Sequence, residues 1–284
     1  MRSRRSVILA LAAAVARAQQ SQNPSPMVEH NRPHPRLTKP DPPLPGKRAK
    51  LVAGSLFIPQ RLARKKQVPL FLHFHGGPWV PELAAVKRGM AVITIDTGSG
   101  SGIYARQFTD HALLAQILRD AEQQGGVSFS SITLTAWSAG HGAVREILTV
   151  PEYYAQVSKV LLIDGLHTGY DGGKPGPLES KLERDHLDTF LKYAQDAVAG
   201  KKRLLITHSE IFPGTFASTT ETADWLLAQL NLKRTLTLKP GPMGTQQLSK
   251  VRRNGFGLIG YAGNSAPDHV DQLHSLDVYL KWLR

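Results

Sequence analysis

The sequence contains no cysteine. No disulfide can therefore close a loop, no thiolate can act as nucleophile or metal ligand, and no thioether can carry a lipid. Beyond the first twenty residues no apolar run is long enough to span a bilayer. No repeat with the period of a solenoid or propeller is present. Acidic residues are scarce beside basic ones, 22 against 35, for a formal net charge of +13. What remains is a 284-residue chain, 41% hydrophobic. That is enough apolar material for one large core, which must hold the molecule together without cross-links.

The N-terminus has its own texture. Arg2, Arg4 and Arg5 precede a short apolar stretch from Val7 to Ala16, and Ala16-Arg17-Ala18 places small residues where a signal peptidase cuts. Residues 1–18 are expected to be a signal peptide, of general or twin-arginine type, leaving a product that is periplasmic or secreted. Loss of its four arginines would leave a charge of +9. Such a balance suits anionic surroundings such as wall polymer or uronate-rich polysaccharide. The basic residues are scattered, with no interleaved aromatics and no nucleic-acid motif, so nucleic acid is not expected as a partner and a solubilising surface is the simpler reading. Residues 19–48 hold Pro24, Pro26, Pro33, Pro35, Pro40, Pro42, Pro43 and Pro45 almost without apolar neighbours, which predicts an extended linker ahead of a catalytic domain at 49–284.

From residue 51 apolar runs of strand length alternate with stretches of helical spacing. Strands are expected at 51–58, 68–75, 90–96, 132–137, 159–164, 203–208 and 256–262, and helices at 103–124, 139–150, 185–199, 219–230 and about 270–283. This alternation predicts an α/β fold: three layers, a mostly parallel central sheet and no large cap domain. Ligands of such sheets gather at the carboxyl ends of the strands. That rule selects His75, Asp96, Ser138, Asp164, the stretch from His208 to Glu210, and the loop before Val270.

In Ile132-Thr133-Leu134-Thr135-Ala136-Trp137-Ser138-Ala139-Gly140-His141-Gly142, a strand meets a helix across a tight turn. A serine there is pushed out on a sharp bend with a helix N-terminus behind it, and small residues are needed two before and two after. Gly140 supplies one; Ala136 stands where glycine is usual. Over most of 51–284 the chain thus resembles the α/β-hydrolase superfamily, of the serine esterase and lipase kind. The resemblance implies Ser138 as nucleophile and the N–H of Ala139 as one oxyanion donor. Phe74-His75-Gly76-Gly77-Pro78-Trp79 resembles the His-Gly-Gly-Pro loop of prolyl-oligopeptidase-like members, which implies a second donor at Gly77, with Trp79 behind it, since Pro78 has no N–H.

The base is expected late, at His269 in the loop before the final helix, in preference to His274 one turn further on. The acid is either Asp164, ending the strand after the elbow helix, or Glu210, after the next strand; Asp164 is the cleaner strand-end carboxylate and is chosen over Glu210. His75, Trp137, His141 and His167 flank these positions and are expected to touch substrate.

No metal or cofactor is expected. His73 and His75 alternate on one strand but lack a third ligand, and the cluster Asp268, His269, Asp271 and His274 lacks a zinc-helix register. Asp96-Thr97-Gly98-Ser99 matches the aspartic-protease tetrapeptide in a single copy on the wrong kind of fold, and Gly98, Gly100 and Gly102 fail the dinucleotide spacing. The expected reaction is acyl transfer through an acyl-enzyme on carboxylic esters, acyl esters of carbohydrates among them, free or polysaccharide-linked. The competing readings are a serine peptidase or amidase of the same fold, and a non-catalytic protein that binds glycan or wall polymer. Oligomeric state is left open.

Overall fold

The computed structural model describes residues 34–173 and 181–283. The expected signal peptide and most of the Pro-rich segment lie outside them. The strands are β1 (Gly46–Lys50), β2 (Ser55–Pro59), β3 (Gln67–Phe74), β4 (Ala91–Ile95), β5 (Ser128–Trp137), β6 (Val157–Ile163), β7 (Arg203–His208), β8 (Thr235–Pro240), β9 (Gln246–Arg253) and β10 (Phe256–Tyr261). They form one sheet in the order β1-β2-β4-β3-β5-β6-β7-β10-β9-β8. From β4 to β10 all neighbours are parallel, and the antiparallel pairs are confined to the two ends.

The helices are α1 (Trp79–Arg88), α2 (Ser101–Phe108), α3 (Leu113–Gly125), α4 (His141–Thr149), α5 (Pro151–Gln156), α6 (Asp185–Val198), α7 (Thr219–Gln229), α8 (Ala266–His274) and α9 (Leu276–Trp282). Side chains alternate across each central strand. Leu70, Leu72 and Phe74 of β3, with Val160 and Leu162 of β6, join Phe108, Ile117, Val144 and Phe190 on one face. Phe71, Leu161 and Ile163 join Val80, Leu276 and Tyr279 on the other. Both faces are covered, which is why these strands read as unbroken apolar runs. The expected three-layer α/β architecture is the one observed.

Several boundaries differ from expectation, each for a local reason. The strand expected at 51–58 is a hairpin of β1 and β2, with Gly54 at φ 80° and the Leu51 N–H bonded to the Gly54 carbonyl at 3.0 Å. Regular structure therefore begins at Gly46, inside the stretch read as linker. Upstream of it, His34 and Arg36 bond Asp271, and the Leu37 N–H donates to His274 Nδ1 at 2.9 Å, so this part of the segment is pinned to α8. The helix expected over 103–124 is broken into α2 and α3 where the Asp110 carboxylate accepts from the Ala112 N–H. The last helix starts earlier than expected, at Ala266. Ser265 and Asp268 form a reciprocal capping box there, with a proline in the first turn.

Candidate active site

β5 delivers Trp137 and then Ser138, whose φ of 48° is left-handed for a residue with a side chain. Such a conformation costs about 1–3 kcal/mol and persists only where its surroundings enforce it. Three glycines allow those surroundings to close in. A Cβ on Gly140 would lie 2.2 Å from the Phe74 carbonyl oxygen at the end of β3. One on Gly142 would lie 2.2 Å from the Ser101 carbonyl oxygen of α2, and one on Gly165 would lie 2.7 Å from the carbonyl oxygen of Ser138 itself. Ala136 is fully buried, and the residues Ser138–Gly140 make a single 3-10 turn into α4. The Ala139 N–H thus lies in the first turn of a helical run, where backbone donors lack intrahelical partners.

On the neighbouring strand, Asp164 follows the end of β6, also at positive φ (43°). Its buried carboxylate accepts four hydrogen bonds. They come from the Ser209 N–H at 2.8 Å, the Ser209 hydroxyl at 2.7 Å, the Thr219 hydroxyl at 2.8 Å and His269 Nδ1 at 2.7 Å. Burial works to raise the pKa of this group. The hydrogen bond and charge of His269, with Ser209 and Thr219, outweigh it and hold the carboxyl below its ordinary range.

His269 sits in the first turn of α8, not in the preceding loop as expected. Its ring lies 4.6 Å, centroid to centroid, from the indole of Trp137, and the indole N–H donates to the His269 carbonyl at 3.1 Å. The imidazole is thereby docked on the residue directly before Ser138. With Nδ1 spent on Asp164, Nε2 is the nitrogen left for chemistry.

Glu210 takes no part in this arrangement. It is exposed, its N–H bonds the Gly263 carbonyl at 2.9 Å, and its carboxylate accepts from the Gly263 N–H at 3.4 Å. His274 lies at the far end of α8, with Nδ1 accepting from Leu37 and its ring edge-on to Trp79.

His75 lies just past β3 at φ 73°, followed by Gly76 at φ 101°, so the chain turns sharply before Gly77 and the start of α1 at Trp79. The His75 ring stacks on Trp137 at 5.0 Å and 15°, and its Nδ1 meets the Tyr104 hydroxyl at 2.9 Å. That hydroxyl donates to Asp96 at 3.0 Å. Burial draws the His75 pKa down, with Asp96 opposing. His73, by contrast, is a core residue. It is buried against Thr135 at 2.8 Å, with its pKa lowered to about 3 by burial.

Beside Ser138 opens a cleft of about 600 Å³, lined by Ala139, His141, His167, Thr168, Glu183 and Phe216 among others. Of the four residues expected at the substrate, His141 and His167 line this cleft, while His75 and Trp137 build the aromatic stack beneath His269. A larger hollow of about 1350 Å³, bordered by Tyr170, Trp225 and Gly173, shares Glu183 with this cleft and contains none of Ser138, Asp164 and His269. Among the described residues one set has metal-ligand spacing: His34, Asp268 and Asp271, with ligand atoms within 4.8 Å of one another. Asp271 there already faces the Arg36 guanidinium and Asp268 caps α8, so both carboxylates have structural work.

Set beside solved structures, the chain is similar to three esterases or depolymerases. Acetyl xylan esterase from Aspergillus awamori matches at 14% identity and TM-score 0.46, over 81% of this chain and 92% of that one. The poly(3-hydroxybutyrate) depolymerase LpqC from Bordetella parapertussis matches at 16% and 0.47, over 81% and 83%. A truncated carbohydrate esterase from gut microbiota matches at 13% and 0.49, over 89% and 99%. No protein-family model matches the chain, and no curated protein matches its sequence. The chemistry therefore rests on this chain's own residues.

Sequence places Ser209 in a selected strand-end stretch but pairs neither it nor Thr219 with Asp164. Ser209 and Thr219 lie 45 and 55 residues from the Asp164 carboxylate they bond. Tyr104, which joins His75 to Asp96, reads in sequence as an ordinary apolar position of a helix.

Proposed function

We propose that the chain is a serine hydrolase cleaving carboxylic esters, with Ser138 as nucleophile, His269 as base and Asp164 as its acid partner. The observation that carries the reading is the 2.7 Å bond from His269 Nδ1 to Asp164, with that same imidazole docked on the tryptophan preceding a strained serine. Asp164 holds the proton on Nδ1, so Nε2 presents its lone pair to the Ser138 hydroxyl. As the serine oxygen bonds the ester carbonyl carbon, its proton passes to Nε2. The resulting imidazolium is stabilised by the Asp164 carboxylate.

The carbonyl oxygen becomes an anion, and the N–H of Ala139 and of Gly77, with Trp79 flanking, supply its donors. The alcohol departs with the proton from Nε2, leaving Ser138 acylated. Water then bonds the acyl carbon as it gives a proton to Nε2, and the Ser138 oxygen departs, taking that proton back and releasing the carboxylic acid. Export belongs to the same reading through residues 1–18, and N-terminal sequencing of the secreted product tests it.

The deciding experiment is labelling with a fluorophosphonate followed by hydrolysis of a short-chain ester panel. Wild type is expected to label and to turn over. Ser138→Ala is expected to lose the label and at least about 10³-fold in kcat. Unchanged activity in Ser138→Ala would refute the reading.

A further inference from the structure

His141 and His167 meet in the wall of the cleft, ring centroids 5.8 Å apart, with Phe216 edge-on to His167 at 5.1 Å. Each ring has its Nδ1 committed to a main-chain carbonyl: His141 to that of Ser138 at 3.0 Å, His167 to that of Ala217 at 3.2 Å. A carbonyl oxygen only accepts, so each Nδ1 carries the ring's proton. Burial keeps a second proton off both rings. It pushes His141 down to about 3, helped by His167, and lowers His167 as well. Two neutral imidazoles, both protonated on Nδ1, present two Nε2 lone pairs.

Among the described residues neither Nε2 has a protein hydrogen-bond partner. Both residues line the cleft, His141 almost fully buried and His167 half-buried. The Glu183 carboxylate, also an acceptor, stands at the exposed rim beside His186; among the described residues no lysine or arginine lines the cleft, and the Arg106 guanidinium stands beside the lining residue Gly102. The wall formed by His141, His167 and Glu183 is therefore rich in acceptors and, among the described residues, carries no fixed positive charge.

We infer that this cleft selects the uncharged, polyhydroxylated portion of the ester, a neutral sugar or polyol whose hydroxyls donate to Nε2 of His141 and His167. The inference rests on the ester-hydrolase reading above and names its substrate class. It also separates the cleft from the rest of the surface: the positive net charge suits anionic surroundings, whereas an anionic substrate group at the His141–His167 wall would meet two uncharged rings and face Glu183 at the rim. An ammonium group would be drawn to that rim rather than to the neutral imidazoles beside Ser138.

The test compares kcat/KM of the full chain on a monoacetylated methyl glucoside, its glucuronoside counterpart, ethyl acetate and acetylcholine. Wild type is expected to prefer the glucoside acetate over ethyl acetate by about tenfold or more, expressed mainly in KM. His167→Phe is expected to lower that preference about tenfold. His167→Gln, whose amide oxygen restores an acceptor, should recover most of it, which a merely structural role for the ring would not do. A preference near unity, a preference for acetylcholine or the glucuronoside, or identical behaviour of the Phe and Gln variants overturns the inference. Should wild type cleave no acetate, the hydrolase reading falls, and calorimetric titration of methyl glucoside into Ser138→Ala decides the inference separately. Millimolar binding weakened at least tenfold by His167→Phe upholds it, and absence of binding ends it.

Discussion

At the scale of single residues, hydrogen bonding separates the two carboxylates weighed as acid partner. Asp164 collects four donors in a buried site, whereas Glu210 is exposed and braces the Gly263 turn. Asp164→Asn is expected to lower kcat by about 10⁴-fold on the best ester, because the amide would stabilise the wrong tautomer of His269 and lose the imidazolium's counter-charge. Glu210→Gln should stay within about threefold in the same assay, and the reverse ranking would reassign the acid. Ser138, Asp164 and His269 were each legible as polar residues at strand ends or late in an α/β chain. Asp164 was preferred to Glu210 as the cleaner strand-end carboxylate, but its hydrogen-bond donors were not legible, because Ser209 and Thr219 reach it only through the pairing of β6 with β7 and the placement of α7. Likewise, the commitment of His141 to the carbonyl of Ser138 depends on the 3-10 turn after the nucleophile, which no residue type announces.

At the scale of elements, the helix start at Ala266 governs where His269, the proposed base, stands. Ser265 accepts from the Asp268 N–H and donates to its carboxylate, and the Asp268 carboxylate accepts from the Ser265 N–H. Ser265→Ala removes half of that box and is expected to cost about 0.5–2 kcal/mol in a urea titration. Since His269 lies within that first turn, kcat should fall in the still-folded variant as well; stability lost without any change in kcat would mean that the cap does not position the imidazole. The parallel centre of the sheet was readable because both of its faces are buried, so each strand is a bounded apolar run. β8 and β9 were not. β8 is mostly exposed, and β9 buries Gln247 and Ser249 where an apolar residue would have marked the period. The hairpin of β1 and β2 was read as one strand because Leu51 and Val52, in its turn, continue the apolar texture across Gly54.

For the whole molecule, stability should fall on the acid side, and the sign follows from three buried histidines. His73 and His141 are held neutral down to about 3 by burial, and His208 down to about 4 by burial with Arg234 beside it. In the unfolded chain these rings take up protons near pH 6.5. Between that value and the folded values the unfolded state binds more protons, so stability is fullest above about pH 6.5 and declines as pH drops towards 3. Asp164, held low in the fold, adds to the loss once pH falls below the ordinary carboxylate range. Urea midpoints measured at pH 7, 5.5 and 4 should therefore decrease in that order. A midpoint at pH 4 equal to that at pH 7 would mean that the three rings are not buried in solution.

The molecule also carries its own optical reporter. Trp137 lies between the rings of His75 and His269, its indole N–H bonded to the backbone of α8. Indole fluorescence is quenched by contact with a charged imidazole, so the emission of this one tryptophan, isolated by replacing Trp79, Trp225 and Trp282 with phenylalanine, will report charge arising on either of the two rings that flank it. Each turnover would be written as a flicker of light.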